Sequence, residues 1–176
     1  MDEKELQEVS IKQEVANTKM QRPHIVVLGA GASRANCMNG DKTGKVLPLM
    51  RDFADVVGLK SLLAEWSIDS DQNFEEIFSD LYDKKDVNKI EKIQKLVEKY
   101  FNELELPDRP TVYDHLVLSL RDKDIIATFN WDPLLVQAYL RNVRAGLRLP
   151  RLAFLHGNIR VGYCENDKIS SLSGGH

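Results

Sequence analysis

Three short segments of this 176-residue chain carry the residue types that handle phosphates, sugars and protons. The first is Gly29-Ala30-Gly31-Ala32-Ser33-Arg34. Glycines there let the backbone turn tightly and approach a pyrophosphate, and amides at a following helix start favour negative charge. As a dinucleotide fingerprint it is incomplete, because Arg34 stands where G-x-G-x-x-G has its third glycine. The same residues also fit an ordinary turn between a strand and a helix. The second segment is Thr128-Phe129-Asn130-Trp131-Asp132. Asn130 offers an amide that can orient a water or a sugar hydroxyl, and Asp132 a carboxylate that accepts from an amide. An Asx turn in which Asp132 caps a helix suits the following Pro133 equally well. The third is His156-Gly157, where a histidine beside a glycine has the exposure that a general base requires, or a purely structural role.

Each segment follows an apolar run. His24 to Leu28 reads H-I-V-V-L, the continuous β-branched pattern of a strand buried on both faces of a parallel sheet. Asp124 to Phe129 and Leu152 to Leu155 are the second and third strands, and Ile159 to Tyr163 is a candidate fourth. Between the first two lies a helical insertion, about 47–121. Leu47, Met50, Phe53, Ala54 and Val57 recur at helical spacing up to Gly58, and a second helix follows through Phe74, Ile77, Phe78 and Leu81. Between Lys84 and Leu106 the stripe Val87, Ile90, Ile93, Val97, Phe101 and Leu104 is the strongest helix, its lysines and glutamates forming a solvated face. Thr111 with Asp114 resembles a capping box, and Leu134 to Val143 forms a helix stopped by Gly146. The turn-rich run Asn36 to Lys45 reads as an exposed loop without packing of its own.

Strands separated by helices argue for an α/β, Rossmann-like parallel sheet, in which ligands bind beyond the carboxyl ends of the strands. Such sheets usually have about five or six strands. Three firm ones, together with the loop-like ending Ser170 to His176, make the domain read as incomplete at its C-terminus. Residues 1–22, with a thin stripe of Leu6, Val9, Ala16 and Met20, fit either a surface helix or a mobile tail.

Composition bounds the function. Hydrophobic residues at 43% and charged ones at 29% are the ordinary globular mix and disfavour disorder or a disulfide scaffold. A net charge of −3 gives no overall attraction to nucleic-acid phosphates. The acidic start lacks a secretory pattern, no run is long enough for a membrane span, and only Cys37 and Cys164 occur, so a reducing cytoplasm is expected. Homo-oligomerisation stays open.

The order G-A-G-A-S, then T-x-N-x-D, then H-G, each after a strand, resembles the sirtuin (silent information regulator) family over roughly residues 23–165. It is most similar to the bacterial sirtuin-like proteins that cleave NAD in antiphage defence. The blocks GDKTGKVLPLMRDF, from Gly40 to Phe53, and NFEEIFSDLY, from Asn73 to Tyr82, also look like that branch. The resemblance implies NAD as substrate, with Gly29, Gly31, Ser33 and Arg34 on the diphosphate and adjoining ribose, flanked by Ala30 and Ala32. It implies Asn130 orienting water or ribose hydroxyls, Asp132 on the carboxamide, His156 as general base, and Thr128 and Gly157 completing the site. Phe129 and Trp131 replace the glutamine and isoleucine of the family's T-Q-N-I-D, and no G-I-P-D-F-R follows Ser33, which argues against protein deacylation. The readings are thus an NAD hydrolase, a noncatalytic NAD or ADP-ribose binding module, and, trailing both, a deacylase. Sirtuins also carry a four-cysteine zinc module; Cys164 would be its first ligand only if the others lay beyond His176.

Overall fold

The computed structural model describes Ser10 and residues 22–143, 147–164 and 169–172. Strands β1 (Ile25–Leu28), β2 (Ile125–Thr128) and β3 (Arg151–Phe154) form one parallel sheet in the order β1-β2-β3. The register sets Leu28, Thr128 and Phe154 level with one another, so all three strands end at the same edge. At the opposite edge the buried Asp124 side chain accepts from the His24 and Arg121 amides, both at 2.8 Å, and clamps the starts of β1 and β2 together. Those backbone bonds, that from His24 first, hold its carboxyl down at about 2.

The expected burial of β1 on both faces is corrected. Ile25 and Val27 are 66% and 61% exposed, while Leu28 joins the core. β1 lies at an edge of the sheet, and only the face carrying Val26 and Leu28 meets the helices. The candidate fourth strand also lies elsewhere. β4 (Val161–Cys164) pairs antiparallel with β5 (Ile169–Leu172) in a separate two-stranded sheet, so Ser170 to Leu172 is a strand rather than loop. Cys164 is described through its backbone in β4 alone. Residues 1–9 and 11–21, Gly146 and the last four residues lie outside the described residues.

Helix α1 (Ala30–Asn36) follows β1 directly. A 3-10 turn, Met50–Asp52, leads into α2 (Phe53–Val56), and α3 (Lys60–Glu65), α4 (Phe74–Asp83), α5 (Val87–Asn102) and α6 (Val112–Ser119) come before β2. Helix α7 (Leu134–Val143) joins β2 to β3. The expected helix from Leu47 starts only at Met50. The Asp52 carboxylate accepts from the Leu49 amide and Arg34 donates to the Leu47 carbonyl at 3.2 Å, and Leu49 is held extended ahead of the turn. Gly58 ends the segment with φ +81°, a conformation that glycine adopts without the usual steric cost. Asn73 caps α4 through the Glu75 amide at 2.9 Å, as the polar run before it suggests.

The loop after α1 is also more than solvent-facing. Cys37 and Asp41 are buried, and Asp41 accepts from the amides of Thr43, Lys45 and Glu105, each at 2.8 Å, tying the loop to the end of α5. One apolar core joins Leu28 and Ile126 of the sheet to Phe53, Phe74, Ile93 and Phe101 of the insertion and Leu134 of α7. Each fully buried leucine of this core contributes about 1.5–3 kcal/mol relative to exposure. Among the described residues no helix is long and apolar enough to cross a membrane.

Candidate functional site

The carboxyl edge of the sheet gathers the three segments. Gly29 is the N-cap of α1, extended at φ −117°, and Gly29, Ala30 and Gly31 are exposed. No heavy atom stands within 4 Å of where a Cβ on Gly29 or Gly31 would lie, so the surface over the turn is open. Thr128 ends β2 fully buried, and its hydroxyl accepts the Asn130 amide at 3.0 Å, which turns the chain sharply after the strand. Gly157 has φ +80°, and this turn lets Asn158 reach back across the site. Asn158 Nδ2 donates to the Asp132 carbonyl at 2.8 Å and to the Asn130 carbonyl at 3.2 Å.

Four side chains then meet below the surface. Asn130 Nδ2 donates to the Gly29 carbonyl at 3.0 Å and to Ser33 Oγ at 2.9 Å. Ser33 donates to Asp132 Oδ2 at 2.6 Å, and its oxygen lies 2.7 Å from the Tyr113 hydroxyl. Asp132 Oδ1 accepts the Leu134 amide at 3.1 Å, so the helix-cap role is present along with the site role. Exposures of 2% for Ser33, 2% for Tyr113, 7% for Asn130 and 5% for Asp132 put the network out of bulk water. Because the Gly29 carbonyl only accepts, the Asn130 atom facing it is the amide nitrogen. Its Oδ1 has no partner among the described residues; no fully buried polar atom there lacks one, so Oδ1 keeps some access to solvent, and Asn130 lines the cavity above it.

Among the described residues no cationic side chain bonds Asp132. Burial pushes its carboxyl up, against the Ser33 hydroxyl and the Leu134 amide, which favour the charged form. Burial and the nearby Asp132 charge push the Tyr113 phenol up as well. Tyr113 was missed in the sequence because nothing local marks it: it stands in an apolar helix 80 residues from Ser33. Asn158, two residues after His156, was also missed, although the H-G-N tripeptide was its one local signal.

Above the network lies a cavity of about 300 Å³ whose walls include Ala30, Asn130, Trp131, Asp132 and His156, roofed by Leu47 to Met50. A larger cavity, about 780 Å³, adjoins it through Glu75, Phe101, Trp131 and His156 and runs between α4 and α5. The stripe of α5 is thus partly a cavity wall: Ile93, Val97 and Phe101 line it opposite Phe74 and Phe78. His156 is exposed, its ring edge-on to Phe129 at 4.9 Å. Phe129 is 43% exposed, so it is not a core residue.

Arg34 sits apart from this network. Its guanidinium pairs with Asp52 and holds the Leu47 carbonyl, pinning the cavity roof to α1. Cys37 is a free, buried thiol whose pKa burial raises. No cluster of metal-ligating side chains occurs among the described residues.

Fold and site together define an α/β domain with a three-stranded parallel sheet, compatible with a Rossmann-like fold, and a largely apolar pocket at its carboxyl edge into which Glu75, Asn130, Asp132 and His156 bring polar groups. No protein-family model matches the chain, and no curated protein matches it.

Proposed function

We propose that this protein hydrolyses NAD at the bond between nicotinamide and ribose. The observation that carries this reading is the convergence of Ala30, Asn130, Asp132 and His156 on one cavity beyond three parallel strands. The diphosphate lies against the exposed Gly29 to Gly31 backbone, whose amides supply donors without a side chain in the way. Ser33 and Arg34 have partners of their own, so they shape this turn and its roof.

Charge supports the same orientation. Among the described residues the walls of the two cavities carry Glu75, Glu98 and Asp132 with Phe101 and Trp131, and neither lysine nor arginine. Carboxylates and aromatic faces favour a cationic ring such as the nicotinamide of NAD. When the C–N bond breaks, its electron pair leaves with the nicotinamide and neutralises the ring. The ribose is left as an oxocarbenium ion, which water captures. Asn130 Oδ1 holds that water or a ribose hydroxyl, and His156 takes the proton, giving ADP-ribose and nicotinamide. The resemblance of the order G-A-G-A-S, T-x-N-x-D and H-G to defence proteins that cleave NAD supports a role in depleting NAD during infection.

The test is incubation with NAD alone, following nicotinamide. Release without an acyl-lysine peptide is expected, and N130A/H156A lowers it at least about 100-fold. Binding without release supports a noncatalytic NAD or ADP-ribose module instead, and release that depends on the peptide supports a deacylase.

A further inference from the structure

We propose that Tyr113 is a positioning residue of this site: its phenol orients Ser33 and Asn130 so that Asn130 Oδ1 faces the cavity. The consequence for turnover rests on the NAD-cleaving reading, whereas the orientation itself does not.

The number of hydrogens available fixes the direction of each bond. Ser33 has one, and the 2.6 Å contact commits it to Asp132 Oδ2. The Tyr113 hydrogen therefore goes to Ser33 Oγ across 2.7 Å. Asn130 has two on Nδ2, directed to the Gly29 carbonyl and to Ser33 Oγ, with the Tyr113 oxygen 3.4 Å away as a weaker second acceptor. Ser33 Oγ then accepts twice and donates once, which is all a hydroxyl can do. The chain of donation runs one way, from Tyr113 through Ser33 to Asp132, and each link polarises the next.

The reverse order fails on the same count. If Asp132 donated to Ser33, the serine hydrogen would point at Tyr113, and the phenol hydrogen would be left in a 2% exposed site without an acceptor among the described residues. Removing the phenol oxygen frees a lone pair on Ser33, lets its hydroxyl rotate and loosens the amide that Asn130 must hold turned inward. The backbone supplies the anchor: Thr111 caps α6 and its amide is held by Asp114 Oδ2 at 2.7 Å, and the Tyr113 amide donates to Asn36 Oδ1 at 2.8 Å.

Two readouts separate positioning from folding. By NMR with side-chain ¹⁵N labelling, Y113F is expected to speed hydrogen exchange of the Asn130 amide at least about tenfold, while Y139F on α7 leaves it unchanged. In turnover, Y113F lowers kcat about tenfold with KM for NAD within about twofold, and Y113F/S33A falls no further than S33A. Unchanged Asn130 exchange in Y113F, a kcat at the wild-type level, or independent multiplication of the Tyr113 and Ser33 effects overturns the proposal. Should wild-type protein release no nicotinamide, the hydrolase reading fails, and the Asn130 exchange still decides the orientation. Should Y113F not fold, S33A must produce the same faster Asn130 exchange, and its absence there overturns the proposal.

Discussion

Asp132 and Asp114 occupy similar local positions and meet opposite fates. Each lies at the start of a helix, 5% and 4% exposed respectively, and each accepts a backbone amide there. Asp114 is surrounded by compensation. Arg141 holds it through both nitrogens of its fork, Asn142 Nδ2 donates at 2.8 Å and the Thr111 hydroxyl at 2.7 Å. Burial works to raise its pKa, but these bonds overcome it and hold the carboxyl at about 2. Asp132 has a serine and one amide, and burial prevails. A buried charge that is fully paired locks two helices together. One that is only partly paired keeps reactivity in reserve, and it is the second kind that sits beside the cavity.

Exchanging each charge for an amide sharpens that contrast. The largest effect is expected for D132N: nicotinamide release falls about 100-fold or more while stability in urea holds or rises, because a poorly compensated charge has gone. A melting transition as badly lowered as turnover would place Asp132 with Asp114 as a structural residue. D114N should do the reverse. It strands Arg141, whose half-exposed guanidinium can turn to water, so the cost is about 2 kcal/mol rather than the ~3–5 of a fully buried pair.

The two should also differ in sign with pH. The Asp114 pKa is depressed, so its contribution is present above the ordinary carboxyl value of 3.8 and is lost as pH falls toward 2. The Asp132 pKa is raised, so its contribution is complete below 3.8 and is lost as pH climbs through its higher folded value. Urea titrations of D114N should flatten the acid limb of stability, and those of D132N the decline on the neutral side.

The smallest effect concerns the cavity roof. R34A and D52A each raise KM for NAD about threefold, and the double variant no further, if Arg34 acts only by holding the roof. A larger KM change in R34A than in D52A would assign the guanidinium to the diphosphate as well.

What the sequence made legible is what lies in consecutive residues. The glycine turn, Thr128 to Asp132 and His156-Gly157 each follow a strand, because strand pattern and turn chemistry are both local. Thr111 and Asp114 were readable as a cap for the same reason. The grip of Asp114 on Arg141 was not, since it spans 27 residues and depends on how α6 lies on α7. Tyr113 stayed hidden likewise, its chemistry existing only where helix and strand ends meet. The apolar run of β1 was misread because a continuous hydrophobic pattern shows that a strand is apolar, not how many neighbours cover it. Ser170 and Ser171 carry no strand pattern, and only backbone pairing with β4 makes them one.

The register of β1 also governs how the chain is made. Ile25 pairs with Ile125, and the clamp between His24 and Asp124 spans the same 100 residues. At a synthesis rate of about 5–20 residues per second, the Ile-Val-Val-Leu strand waits roughly 5–20 s before β2 has been translated. Through that interval a β-branched segment is without the partner it has in the folded sheet, the condition under which such segments aggregate. Helices α2 to α6 fill the wait: built from local contacts, they can form a core on which the newborn strand rests until its neighbour arrives.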